Sequence, residues 1–136
     1  MELASSFCLF HERYKKFFVT KTRSVVEQSL YYLSGLVQAV RKNVERMIEV
    51  VPDTEYQSLQ HFTSHSPWDH RPVMDQVAGD GDHLLGGSPD TGLIIDETSV
   101  PKKGKMSVGA ARQWSGRLGK VDNCQVGVFA SLVRGA

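Results

Sequence analysis

The hydrophobic period of this chain changes at about Gly92, which restricts it to folds where helices come first and a sheet follows. Between Ala4 and Val50 there is no proline and a lone glycine, Gly35. Val26, Leu30, Leu33 and Val37 recur there at three- and four-residue spacing, and Val40, Val44, Met47, Ile48 and Val51 make a second stripe. Such spacing puts apolar side chains on one face of an α-helix. Two helices are expected, with Gly35 as a break or close packing point between them and Pro52 ending the second. Phe17, Phe18, Tyr31 and Tyr32 are the expected core aromatics. Beyond Gly92, Leu93, Ile94 and Ile95 form the short continuous apolar run expected of a buried strand. In Cys124–Val133, residues Val126, Val128, Ala130 and Leu132 alternate with Gln125, Gly127, Phe129 and Ser131, a period of two. An antiparallel pair is the economical arrangement, with Val126 to Val133 on an unprotected edge.

Turn chemistry divides the region between. Thr54 with Gln57, and Ser66 and Pro67 with Asp69, fit capping boxes, so short helices are expected over 54–64 and 67–78. A turn of two or three residues between them would have the compactness of a helix-turn-helix. Residues 79–92, GDGDHLLGGSPDTG, read as a linker, because the DGD triplet lacks the alternating ligands and closing Glu of an EF-hand loop. The fold class expected is α+β: a helical region over 1–78, the linker, and a β-rich domain over 93–136.

The net charge of +1 conceals a segregation: residues 1–50 balance at +3, residues 51–100 at −8 and residues 101–136 at +6. A basic tail beside an acidic middle points to a polyanion partner for the tail, whereas phosphates repel the acidic 67–78 helix. No stretch approaches the roughly 18 to 20 apolar residues of a membrane span, and Met1 to Phe10 lacks the basic flank of a signal peptide. A cytoplasmic protein without a membrane partner is expected. Cys8 and Cys124, the two cysteines, form neither a disulfide framework nor a CxxC pair.

An acid at the end of a buried apolar strand is costly unless it is neutralised, hydrogen-bonded or paired with a cation, which singles out Asp96. Side chains alternate along a strand, so Asp96 and Thr98 share one face while Glu97 points to the other, and one strand offers one metal ligand. Lys102, Lys103 and Lys105 follow in a PKKGK loop. Arg112, Arg117 and Lys120 extend this basic surface toward phosphates, and Trp114 adds a stacking plane for a base. His61 and His65 stand at i, i+4 but lack the Glu of a metalloprotease motif and any third ligand nearby. No Ser or Cys sits in a pattern that positions a base.

The string Leu93-Ile94-Ile95-Asp96-Glu97-Thr98-Ser99-Val100-Pro101-Lys102-Lys103-Gly104-Lys105 continues with Ser107-Val108-Gly109 and Ala111-Arg112-Gln113-Trp114-Ser115-Gly116. Gly119-Lys120-Val121-Asp122-Asn123-Cys124-Gln125-Val126 completes it. Together these closely resemble the DDE-type transposases of bacterial insertion sequences, the DDE superfamily endonucleases. The resemblance extends upstream through Gln57 to Phe62 and Ser66 to Asp69 to Arg41, Lys42, Asn43, Glu45 and Arg46. It implies a ribonuclease H-like catalytic domain with an Asp on its first strand, a second Asp further along and a Glu later. Asp96 matches the first of these, as catalytic residue and metal ligand. Also implied are paired Mg²⁺ ions acting on a DNA phosphodiester.

Two departures bear on this. Ser99 and Val100 stand where the family has Gly-Phe, and Met106 where it has His. No position before Ala136 matches the second Asp or the Glu. The expectation is therefore an incomplete ribonuclease H-like domain in a truncated transposase, inactive alone and holding no Mg²⁺ tightly, since one carboxylate of three is a broken metal site. The alternative is a non-catalytic regulatory remnant that binds DNA at transposon ends, or binds a full-length transposase.

Overall fold

The computed structural model describes residues 2–135. They form two compact units, Met1–Val77 and Ala78–Ala136. In chain order the helices are α1 (Glu2–Tyr14), α2 (Val26–Gln38), α3 (Val44–Met47), α4 (Tyr56–Ser64) and α5 (His70–Leu85), with a 3₁₀ turn at Lys15–Phe18. The unit boundary falls within α5. The strands are β1 (Thr91–Pro101), β2 (Ala110–Ser115) and β3 (Lys120–Arg134). Helices followed by a three-stranded antiparallel sheet make the chain α+β, consistent with part of a ribonuclease H-like domain.

The helical stretch expected through Val50 is interrupted twice. At residues 19–24 the β-branched Val19, Thr20 and Thr22 favour extended backbone, and Val19 and Ser24 form an isolated antiparallel bridge. At residues 39–43, the Lys42 ammonium donates to the carbonyls of Leu36 and Ala39 at the end of α2. Asn43 then caps α3, its Oδ1 accepting from the Arg46 N–H at 3.2 Å. Gly35 does not break the helix. It lies buried inside α2, where a Cβ would come within 2.6 Å of Met47 Cγ, so it is a packing point. Pro52 does not end α3 either, because that helix already stops at Met47.

Two apolar clusters hold this unit together. Tyr14, Phe18, Val25 and Phe62 form one, with Phe17, Tyr32 and Trp68 packed against it. Ala39, Met47 and Leu59 form the other, flanked by Tyr31 and Tyr32. The Phe18 ring lies 5.7 Å from Phe62 and 5.2 Å from Trp68, inside the range for favourable aromatic pairs. His11 Nε2 and Ser29 Oγ, both buried, meet at 2.8 Å and tie α1 to α2.

Neither expected capping box forms. Thr54 Oγ1 donates to Pro52 O at 3.1 Å, and α4 begins after Glu55 without a side-chain cap. At α5, Asp69 Oδ1 accepts from the Arg71 N–H at 3.0 Å, so the helix starts at His70, after Pro67. The α4–α5 connection therefore spans residues 65–69, longer than the expected turn, and is fastened by Trp68 Nε1 donating to Phe62 O at 3.0 Å. Helix α5 continues through Gly79 and Gly81 to Leu85, so the first half of the expected linker, DGD included, is helical. A glycine inside a helix costs about 1 kcal/mol relative to alanine, which weakens the helix without ending it.

Strand order is β1-β3-β2. β3 pairs with β1 from Cys124 to Arg134 and with β2 from Lys120 to Gln125. Val126 to Val133 therefore lie open on one side, with β1 on the other, and β1 keeps an unpaired outer edge among the described residues. The β2–β3 turn closes with the Gly119 N–H donating to Ser115 O at 2.8 Å, and Gly119 has φ 64°, a conformation glycine adopts without strain. The buried strand expected at Leu93–Ile95 is corrected: these residues are 62, 52 and 67% exposed. Apolar sequence alone therefore did not produce burial.

Candidate nucleic-acid interface

Strand register fixes which side chains share a face, because directly opposed residues point the same way. Asp96 lies opposite Phe129 and Thr98 opposite Gly127, while Arg112 lies opposite Asn123 and Trp114 opposite Val121. These pairs put Asp96, Thr98, Arg112 and Trp114 on one face, and Glu97 and Asp122 on the other. Among the described strand residues Asp96 is the one acid on its face. It is exposed, and its Oδ1 accepts from the Glu97 N–H at 2.8 Å. Arg112 sits six residues along β3 from the Asp96 position, so the two share a face without pairing.

The lysine loop between β1 and β2 is fastened to β3 by side chains that the sequence pattern did not single out. Asn123 Nδ2 donates to Lys102 O at 2.7 Å and Gly104 O at 3.1 Å, and the Lys102 N–H donates to Asn123 O at 2.9 Å. Further along, Gln125 Nε2 donates to Val108 O at 2.7 Å, and Gln113 Nε2 bridges Gly109 O and Cys124 O at 3.1 and 2.8 Å. Amide side chains on a strand next to a loop were the available signal. The loop's backbone is thus held while Lys103 and Lys105 stay exposed, with no ion pair among the described residues.

Trp114 and Arg117 come together in a cleft of about 230 Å³, lined also by Glu97, Thr98, Ser99 and Val126. It is Glu97, the neighbour of Asp96, that lines this cleft. Beneath it Ser99 Oγ and Ser115 Oγ meet at 2.7 Å, both buried, bracing β1 against the end of β2. Lys120 is less available than its neighbours, since its Nζ lies 2.9 Å from Asp122 Oδ2. That hydrogen bond, with one from the Asn123 N–H, lowers the Asp122 carboxyl below its ordinary value. Of the seven residues proposed from sequence for nucleic acid, Lys102 is half-buried and Lys120 is paired. Lys103, Lys105, Arg112, Trp114 and Arg117 are exposed.

A metal ion at Asp96 was the other expectation. Among the described residues no three His, Cys, Asp or Glu side chains converge, and Glu97 points away from Asp96. The described residues therefore do not fit a metal ion by themselves, because one carboxylate supplies neither the charge nor the ligand number of such a site. His61 and His65, with ring centroids 6.0 Å apart, meet the hydroxyls of Ser66 and Ser64 through Nδ1. No helix among the described residues is long and apolar enough to cross a membrane.

The chain is 37% identical over 95 residues to a Microchaete diplosiphon protein described as "Probable transposase for insertion sequence element IS701". The match takes in 70% of this chain and 24% of that protein, so the chain spans about a quarter of its relative's length. No solved structure matches. Residues 15–136 match the family described as DDE superfamily endonuclease, and the chain belongs to that family.

Proposed function

We propose that this chain is a portion of an insertion-sequence transposase that engages DNA through its β-rich unit and is catalytically silent alone. Asp96 is the first of the carboxylates on which DDE chemistry depends, and the lysine loop is the phosphate contact beside it. The observation that carries the reading is the composition of one sheet face by strand register: a single carboxylate, Asp96, with Arg112, while the strand acids Glu97 and Asp122 lie on the other. Arg112 and the exposed Lys103 and Lys105 of the neighbouring loop can meet a phosphate backbone and Trp114 offers a base a stacking plane, yet one carboxylate cannot assemble the charge that a divalent ion requires.

Two measurements on the intact chain test this. Incubated with transposon-end duplex and Mg²⁺ or Mn²⁺, it should neither nick nor join DNA; cleavage that Asp96→Ala abolishes would overturn the silent reading. In binding titrations, replacing Lys102, Lys103 and Lys105 together by Ala should reduce the salt dependence of log K by about two to three, at roughly 0.9 per phosphate. An unchanged slope would return the loop to a solvated surface, whereas strong preference for one sequence would favour groove reading by α5.

A further inference from the structure

The helical unit has a basic segment of its own. Arg13, Lys15, Lys16, Lys21 and Arg23 fall in a stretch with no acid between Glu12 and Glu27. Three of these cations are engaged: Arg13 is not free, the Lys15 ammonium pairs with Glu12, and Lys16 Nζ donates to Gln76 Oε1 at 3.4 Å while lying 4.8 Å from the Phe17 ring centroid. Lys21 and Arg23 differ. Both are exposed, and neither side chain forms a hydrogen bond or ion pair among the described residues.

The backbone beneath these two cations is firmly held. The Thr20 N–H donates to Arg23 O at 2.9 Å, and Thr20 Oγ1 both donates to Arg23 O at 2.8 Å and accepts from the Arg23 N–H at 3.2 Å. The Val25 N–H donates to Phe18 O at 2.8 Å, rooting the turn in two buried core residues. At the tip, the amides of Lys21 and Thr22 donate to no backbone carbonyl among the described residues, and the Thr22 side chain is exposed. Two unpaired cations, two open amides and a hydroxyl thus stand together on an ordered turn. Phosphate oxygens are acceptors that take all three kinds of donor, and a backbone already ordered loses little entropy on binding them.

We propose that the Thr20–Arg23 turn is a DNA-backbone contact of the helical unit, with Lys21 and Arg23 each meeting one phosphate. The inference rests on the reading of the chain as DNA-binding and assigns a contact in a different unit from the lysine loop.

The test is a titration of the full chain against a labelled duplex of mixed sequence at several salt concentrations. K21A/R23A and the alternative K21Q/R23Q should each lower the slope of log K against log salt by about 1.8, two phosphates at roughly 0.9 each. The charge-preserving K21R/R23K should retain the wild-type slope. Because the replaced side chains are exposed and unpartnered, melting temperatures should match the wild type. An unchanged slope in both neutral variants overturns the inference. If the Lys102, Lys103 and Lys105 variant still loses slope in that case, the DNA reading survives without this turn. Slope loss in the turn variants alone supports the inference and removes the loop contact, and absence of binding by the wild type overturns both. Competition by polyglutamate as effective as by duplex also overturns it, in favour of an acidic protein partner.

Discussion

Replacing Gly35 by alanine sets two effects of opposite sign against each other. Glycine inside a helix is less favourable than alanine by about 0.8–1 kcal/mol, so propensity alone has Gly35→Ala stabilising α2 by that amount. Packing acts the other way. The new methyl carbon would stand 2.6 Å from Met47 Cγ, 2.7 Å from Met47 Cβ and 3.1 Å from Met47 Sδ. Met47 is 0% exposed, so its side chain has no open space to swing into, and its Cβ moves only with the backbone of α3. Relief therefore requires α3 to shift away from α2. Overpacking of this kind costs about 1–3 kcal/mol. With the propensity gain set against it, the expected net loss is about 1 kcal/mol, which for a unit of this size lowers the melting temperature by about 4–8 °C. Urea and thermal unfolding followed by circular dichroism measure it. A companion Met47→Ala should be less damaging in the Gly35→Ala background than in the wild type, by at least about 0.5 kcal/mol. A Gly35→Ala protein more stable than the wild type would refute the reasoning, because it would leave helix propensity as the sole effect at this position.

Two further perturbations probe buried polar pairs. Burial first, then the charge of Lys15, holds the His11 imidazole below its ordinary value of 6.5 against the opposing pull of Glu12, so the fold favours the neutral ring. Its contribution is complete above pH 6.5 and is lost as pH falls below that value, so the melting temperature should drop on acidification and His11→Gln should flatten the drop; an unaltered pH profile would count against it. Ser99→Ala deprives the buried Ser115 hydroxyl of its 2.7 Å partner, leaving only the Leu118 N–H at 3.4 Å, and should cost about 1–3 kcal/mol. Removing both hydroxyls with Ser99→Ala/Ser115→Ala should cost less than the single change, and equal or greater damage in the double variant would show that the pair is not what braces β1 against β2.

How much of this fold could be read in advance depends on whether a residue's conformation is decided nearby. The helical period of α2 and the alternation of β3 are local patterns, and the structure keeps both elements, whereas the second stripe yields only the four-residue α3 and leaves Val40 97% exposed. Gly35 was legible as a special position, but its partner Met47 lies across a tertiary contact, so spacing left break and packing point equally open. Thr54 and Ser66 have the chemistry of helix caps, yet a hydroxyl serves any nearby acceptor, and Thr54 takes Pro52 O. The glycines of α5 were misleading in the opposite direction, because a cost of about 1 kcal/mol is outweighed by the hydrogen bonds of a continuing helix. Burial of Leu93–Ile95 was the largest error. Apolar residues favour a strand locally, but whether anything covers that strand is decided by chain elsewhere.

The same distinction governs the candidate interface. Asp96 stood out because a carboxylate after three apolar residues is chemically conspicuous, and its face followed from the period of a strand alone. The hold of Asn123 and Gln125 on the lysine loop depends on the β1–β3 and β2–β3 registers, which no local pattern specifies. Charge shows the same limit. The sum over residues 101–136 gave the sign of the surface, but the structure alone separates Lys120, paired with Asp122, from Lys103 and Lys105, which are exposed and form no ion pair among the described residues. In the helical unit the separation is sharper. Lys42 closes the end of α2 and Arg46 lies 2.5 Å from Glu49, while Lys21 and Arg23 stand without partners on a rigid turn. Equal formal charges thus differ in what they can bind. A cation already donating to a carbonyl or carboxylate must break that bond to reach a phosphate, whereas an unpartnered one gives up only water. The strongest phosphate contacts should therefore follow the unpaired cations of each unit rather than the densest run of basic residues.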